Sequence, residues 1–230
     1  MGKVIEEIAE KRGHQIVTRV NSSHPIESAE FGDMDVAIEF TAPHLAVRHI
    51  EYCADNNTPV VVGTTAWNHD LPIVIDYVNS KNGALLYASN FSIGVNIFFE
   101  INRQLARMME GNENYAPTLE EIHHTAKLDA PSGTAVSLAN DILDNNFNVN
   151  SWIHEENKKP EVSNDQLAVT SFREKGVPGT HLVRYESEID KIEIKHTAHN
   201  RMGFALGAVI AAEWLHGKEG IYTMADVIKF

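Results

Sequence analysis

Apolar residues in the first part of the chain follow two alternating periods. Val4, Ile5, Ile8 and Ala9 recur at helical spacing among charged residues, which predicts an opening amphipathic helix ended by Gly13. Residues 14–20 then read as a strand. A buried-type strand is predicted over 36–40, a helix from Pro43 to about Asn56, and an apolar strand over 59–62 closed by Gly63-Thr64-Thr65. A helix over 71–80 and a strand over 84–88 complete the series. Strands alternating with helices in this way predict a parallel sheet covered on both faces. Ligands of such sheets sit at the carboxyl ends of the strands, here Asn21, Thr41, Gly63-Thr64-Thr65 and Asn90-Phe91.

Beyond Phe91 the pattern changes. Val95, Phe98, Ile101, Leu105 and Met108 outline a long helix. A strand over 118–125, a helix from Ser132 to about Asn145, and strands over 166–173, 181–186 and 188–196 follow. The polar stretch 146–165 reads as a surface loop. The helix over 202–215 is apolar enough to be buried and is expected to pack back on the first domain. The predicted fold class is α/β. A Rossmann-like parallel-sheet domain is formed by residues 1–93 and 202–230, and a smaller α+β domain by 94–201 carries a mostly antiparallel or mixed sheet.

Charge narrows the partners. With 32 Asp and Glu against 19 Lys and Arg, the formal net charge is −13, which argues against nucleic acid or an anionic membrane as the main partner. Local cations and backbone N–H groups can still hold an acidic small molecule. The single cysteine, Cys53, cannot form an internal disulfide and suits a reducing cytoplasm. Residues 2–12 are charged and unlike a signal peptide, and the apolar stretch 203–215 is interrupted by Glu213 and too short to span a bilayer.

The run from Glu121 to Ala135, E-I-H-H-T-A-K-L-D-A-P-S-G-T-A, concentrates the chemistry. A strand ends in His123 and His124, Lys127 follows, and Pro131-Ser132-Gly133-Thr134 opens a helix. A helix start with Ser, Gly and Thr offers free N–H groups and hydroxyls, a natural seat for a carboxylate. His123 and Lys127 supply two proton donors of different basicity beside it. A capped helix after a strand with two surface histidines accounts for the same spacing. Arg173 and residues 176–181 either edge the site or form a Gly- and Pro-rich hairpin turn. His196 and His199 make an H-x-x-H pair, but at a strand end an offset of three points the side chains to opposite faces. No metal site is expected, and a histidine-based metal-binding protein stands as the alternative class.

The run resembles the signature of dihydrodipicolinate reductases, more fully 4-hydroxy-tetrahydrodipicolinate reductases. The resemblance continues in Phe40-Thr41-Ala42-Pro43, Gly63-Thr64-Thr65, Ser89-Asn90-Phe91-Ser92-Ile93-Gly94-Val95-Asn96 and Arg201-Met202-Gly203-Phe204. It implies an oxidoreductase of the diaminopimelate route to lysine. Such an enzyme uses NADH or NADPH to reduce the cyclic imine from dihydrodipicolinate synthase to tetrahydrodipicolinate. It implies His123 and Lys127 as catalytic residues, and His124, Ser132, Gly133 and Thr134 as holders of the substrate's carboxylates. Gly2, Gly63, Thr64, Thr65, Ala88, Ser89, Asn90, Phe91 and Arg201 fall at cofactor positions. The resemblance also implies a cytoplasmic homotetramer assembled through the sheet of the second domain, which would bind the substrate.

The family opens with a strand and a glycine-rich phosphate loop whose end resembles Met1-Gly2-Lys3. The resemblance thus implies a first strand and most of that loop ahead of Met1. A degenerate homologue that no longer binds nucleotide is the alternative. The stretch Arg19-Val20-Asn21-Ser22-Ser23 carries no acid for an NADH ribose. Arg19 either meets a 2′-phosphate or points away, so NADH and NADPH both stay open.

Overall fold

The computed structural model describes residues 1–229, which fall into two compact units. One comprises Met1–Ile93 with the stretch from Met202 onward, and the other Gly94–Arg201. The first unit opens with α1 (Gly2–Lys11), β1 (Ala37–Glu39), α2 (Pro43–Asp55), β2 (Val60–Val62), α3 (Leu71–Ser80) and β3 (Ala84–Tyr87). The second is built from α4 (Ile93–Met109), β4 (Ala116–His123), α5 (Gly133–Asn145), β5 (Ser151–Glu156), β6 (Gln166–Arg173), β7 (Gly179–Glu186) and β8 (Lys191–Ala198). The chain then returns to the first unit with α6 (Met202–Leu215), β9 (Gly220–Tyr222) and α7 (Met224–Val227).

The first unit holds a parallel sheet in the order β1-β2-β3-β9. Its centre is the unbroken valine run of β2, fully buried as a strand covered on both faces must be. Helix α1 buries Ile5, Ile8 and Ala9 in the core that α6 supplies with Ala205, Ala208, Val209 and Leu215. Apolar around its whole circumference, α6 is a core helix rather than a surface one. Gly207 lets it lie against the loop after β3, since a Cβ there would stand 1.7 Å from the carbonyl oxygen of Phe91.

The second unit carries a mixed sheet in the order β5-β6-β4-β7-β8, with β5, β6 and β4 parallel and β7 and β8 antiparallel to their neighbours. One face packs Leu119, Val169, Val183 and Tyr185 against Phe98 and Ala106 of α4 and Leu138 and Ile142 of α5. The buried Asn102 amide ties the two helices by donating to Leu138 O at 3.0 Å.

The structure departs from the sequence reading in four places. Residues 14–20 form no strand, because no described residue pairs with them in a sheet. A strand persists only where a neighbour takes its hydrogen bonds. Here a cavity of about 950 Å³, walled by Ile5, Ile16, Val20, Val36, Ile38 and Val209, is lined by both this segment and β1. Second, the expected loop at 146–165 contains β5, an edge strand whose polar residues are allowed because it pairs only with β6. Trp152 anchors it on the core. Third, β8 begins at Lys191 rather than 188, since a turn closed by Ser187 N donating to Asp190 O at 2.9 Å takes the intervening residues. Fourth, the helix over 202–215 is followed by β9 and α7, too short to leave a periodic signal.

The Gly207 contact makes a direct prediction. Gly207→Ala forces a methyl group into backbone and should lower unfolding free energy by about 3 kcal/mol, the upper range for overpacking. Gly203→Ala, whose Cβ would meet Ser92 Oγ at an ordinary 3.5 Å, should stay within about 1 kcal/mol of the parent in the same urea titration.

Candidate active site

Cross-strand register builds the polar centre of the second unit. Glu121 of β4 pairs with Ser171 of β6 on one side and His181 of β7 on the other, and His181 pairs with His196 of β8. One step along, His123 pairs with Arg173. Alternation puts these residues on the sheet face that carries Leu119, Val169 and Val183, so an apolar core gives way to a polar row towards the end of β4.

Glu121 is completely buried. Both carboxylate oxygens accept from Ser132 N at 3.1 Å, and Oε1 accepts from Ser171 Oγ at 2.6 Å. His154 Nε2 backs that serine at 2.9 Å. His123 Nδ1 lies 3.4 Å, Arg173 Nη1 3.6 Å and His181 Nε2 3.7 Å from the same carboxylate. Burial alone would push the acid up. Interactions with His181, Ser132 and Ser171, and the attraction of His123 when that ring is protonated, outweigh it and hold Glu121 well below the usual carboxylate range. Burial is also the main influence on His123, helped by His181, Lys127 and Arg173 against the opposing pull of Glu121. Its pKa is lowered to about 4, so the imidazole is neutral at pH 7. Glu121, His123 and His181 bring donor atoms within 4.8 Å of one another. The carboxylate is nevertheless already engaged by two donors, and Arg173 stands beside it as a like charge to any cation.

The helix start is arranged differently from the simple anion seat. Ser132 is buried, and its Oγ caps its own helix by accepting from Ala135 N at 3.2 Å while contacting His181 Nε2 at 3.2 Å. With its N–H given to Glu121, Ser132 is spent on internal bonds. Gly133 is exposed with nothing within 4 Å of its Cβ position, and Thr134 is half-buried beside it. Lys127 Nζ is held by Asp129 at 2.7 Å, and Arg173 Nη2 donates to Asp129 O at 2.8 Å. Arg201 Nη2 lies 3.5 Å from His124 Nε2. Sequence reasoning did not single out Glu121, Ser171 or His181 as a group. The i, i+2 spacing of Glu121 and His123 was a usable signal for a shared strand face, but their partners emerge only with the register.

In the first unit, β1, β2 and β3 end at one edge of the sheet, gathering Phe40-Thr41, Gly63-Thr64-Thr65 and Ala88-Ser89-Asn90. Thr41 N donates to Thr64 Oγ1 at 2.8 Å and to Glu39 Oε1 at 3.0 Å. Trp67 Nε1 donates to Thr64 O at 2.7 Å. The Phe40 ring covers Gly63, where a Cβ would stand 2.1 Å from it. Asn90 Oδ1 accepts from Ser92 N at 2.9 Å and Phe91 is buried behind it. Buried Glu39, contacting His49 Nδ1 at 3.5 Å, was not anticipated. Gly2 opens α1, which has neither a side-chain cap nor an acidic first turn. Arg19 is turned onto Glu6, with Nε 3.0 Å from the carboxylate.

Three comparisons bear on this arrangement. The family models described as "Dihydrodipicolinate reductase, N-terminus" and "Dihydrodipicolinate reductase, C-terminus" match residues 1–91 and 94–228. A protein of Christiangramia forsetii named 4-hydroxy-tetrahydrodipicolinate reductase is 48% identical over 230 residues, covering 99% of this chain and 93% of that protein. Among solved structures, the dipicolinate-bound dihydrodipicolinate reductase of Paenisporosarcina sp. TG-14 superposes with a TM-score of 0.75 at 19% identity, over 99% of this chain and 94% of that one. A probable dehydrogenase of Thermotoga maritima superposes with a TM-score of 0.51 at 10% identity, over 99% of this chain and 83% of its own. These two share the fold.

The buried pair sets a pH dependence. Unfolded, His123 takes up a proton near its ordinary value of 6.5, but folded only near 4, so stability should fall as pH drops through that window. Glu121, lowered in the folded state, adds a loss that begins below its ordinary 4.5. Urea titrations at pH 7, 5.5 and 4.5 should show falling stability, and His123→Asn should flatten the slope between pH 6.5 and 4.

Proposed function

The chain belongs to the dihydrodipicolinate reductase family, and we propose that His123 and Lys127 carry the acid–base chemistry of a nicotinamide-dependent imine reduction. The reaction takes the cyclic imine 4-hydroxy-tetrahydrodipicolinate, by way of dihydrodipicolinate, to tetrahydrodipicolinate in the route to lysine. The observation that carries the site reading is the meeting of His123, Arg173 and the start of α5 around one buried carboxylate, Glu121, with Lys127 near enough for its charge to act on His123.

The first unit's sheet edge fits a pyridine nucleotide. Its strand ends offer Gly63, Thr64, Thr65, Ala88, Ser89, Asn90 and Phe91, and the uncapped start of α1 at Gly2 suits a phosphate. When bound, the nicotinamide supplies the hydride. NADH and NADPH both suit this reading, and with Arg19 engaged by Glu6 neither is favoured by that residue.

In the second unit the substrate's carboxylates go to the Gly133 and Thr134 end of α5, with His124 alongside. Because His123 is neutral near pH 7, Lys127 is the cation that delivers the proton to the ring carbon beside the reduced centre. His123 contributes a neutral hydrogen-bonding edge rather than an imidazolium. Ser132 serves the site through its bonds to Glu121 and His181. A homotetramer of the cytoplasm completes the proposal. The sheet face opposite α4 and α5 offers partly exposed Ile122, Phe172 and Leu182 to a second copy, and sedimentation equilibrium would read the assembly directly. No described helix is long and apolar enough to cross a membrane.

His123→Ala and Lys127→Ala should each lower kcat by roughly 10²-fold or more with circular dichroism unchanged. Near-normal turnover in both would remove them from the chemistry. Thr134→Val should raise KM for the imine while leaving nucleotide affinity, measured by calorimetric titration, where it was.

A further inference from the structure

The mechanism above leaves the best-held ionic group of the second unit without a task. Glu121 has its charge fixed by Ser132 N and Ser171 Oγ, so it cannot swing away to another partner. His123 Nδ1, by contrast, is buried without a hydrogen-bond partner, and Glu121 Oε2 stands 3.4 Å from it. The opposite edge of the ring is set against Gly179, where even a Cβ would come within 3.1 Å of Nε2. A neutral imidazole has one N–H and one lone pair, and its surroundings decide which nitrogen carries the proton.

We propose that Glu121 is a positioning residue that holds His123 as the Nδ1–H tautomer, leaving Nε2 as the nitrogen that carries the lone pair. A proton on Nδ1 stands near an anion that has no freedom to leave, 3.4 Å from the nitrogen. A proton on Nε2 would instead place the Nδ1 lone pair against that anion. The ring is fixed from three sides. Glu121 lies on its own strand, His181 stacks edge-on from β7 at 5.1 Å between ring centroids, and at the start of β7 Gly179 leaves no room for more than a hydrogen atom beside Nε2. Arg173 from β6, 3.6 Å from the other carboxylate oxygen, keeps Glu121 ionised without touching the imidazole edge that matters. Glu121 thus acts through His123, and the inference rests on the reading of His123 given above.

The test uses the whole protein labelled with ¹⁵N-histidine. Nitrogen shifts of His123 at pH 7, assigned by comparison with His123→Asn, should show Nδ1 protonated and Nε2 bare. A predominantly Nε2–H ring in the parent protein overturns the proposal, whatever the variants do. Glu121→Gln, close in shape, should weaken that preference and lower kcat by about tenfold or more, a part of the 10²–10⁴-fold due to a positioned acid–base group. KM should change little. In the double variant Glu121→Gln with His123→Ala, kcat should be no lower than in His123→Ala alone, because the carboxylate has nothing left to position. Additive losses would make Glu121 an independent contributor and sink the idea. If His123→Ala itself turns over normally, it is the reading of His123 that fails. If His123→Ala is impaired but Glu121→Gln keeps the parent's kcat and tautomer, only the role of Glu121 falls.

Discussion

A carboxylate with no access to water is the constraint around which the second unit is arranged. An ionised acid in a protein interior is strongly unfavourable unless neighbouring donors replace its hydration. Glu121 takes those donors from β6 through Ser171, from the start of α5 through Ser132, and draws in His181 of β7 and Arg173 of β6. Each neighbour is thereby fixed in direction as well as distance. The placing of α5 on the sheet, the depth of His123 and the seat of Arg173 are consequences of satisfying one negative charge. Removing a member leaves that charge uncompensated, which is why such a network resists piecemeal change.

The same arrangement lets an acidic protein present a local welcome to an anion. Net charge counts the whole surface, whereas a small ligand feels the groups within a few ångströms and the ends of nearby helices. Lys127, Arg173 and Arg201 share one unit with the open Gly133 turn, while much of the acidic excess lies on exposed faces such as Glu7, Glu10 and Glu188. Pairing with Asp129 tethers the Lys127 ammonium without consuming all three of its donors.

Much of this is legible in the sequence. The alternation of apolar runs gave the parallel sheet, because β2 and β3 are buried on both faces and leave no polar phase in the sequence. The histidine–lysine run and the helix opening at Pro131-Ser132-Gly133 stood out because cap chemistry is local. Register is not local. Nothing near Glu121 in the chain reveals that Ser171 and His181 will be its cross-strand neighbours, since that follows from how separate strands slide to bury their apolar residues. For the same reason residues 14–20 carry a strand's composition without being one. Strand β5 escaped notice because an edge position relaxes the demand for apolar residues.

The core of the first unit is drawn from both ends of the chain, α1 at one and α6 at the other, with the whole of Gly94–Arg201 between them. A ribosome therefore delivers α1 and the valine strand long before the helix that covers them. At translation rates of about 5–20 residues per second, the intervening segment takes on the order of ten seconds to emerge. The second unit has all its strands and both its helices by then. Throughout that interval Ile5, Ile8 and Val61 lack the apolar side chains of α6 that share their core in the folded chain.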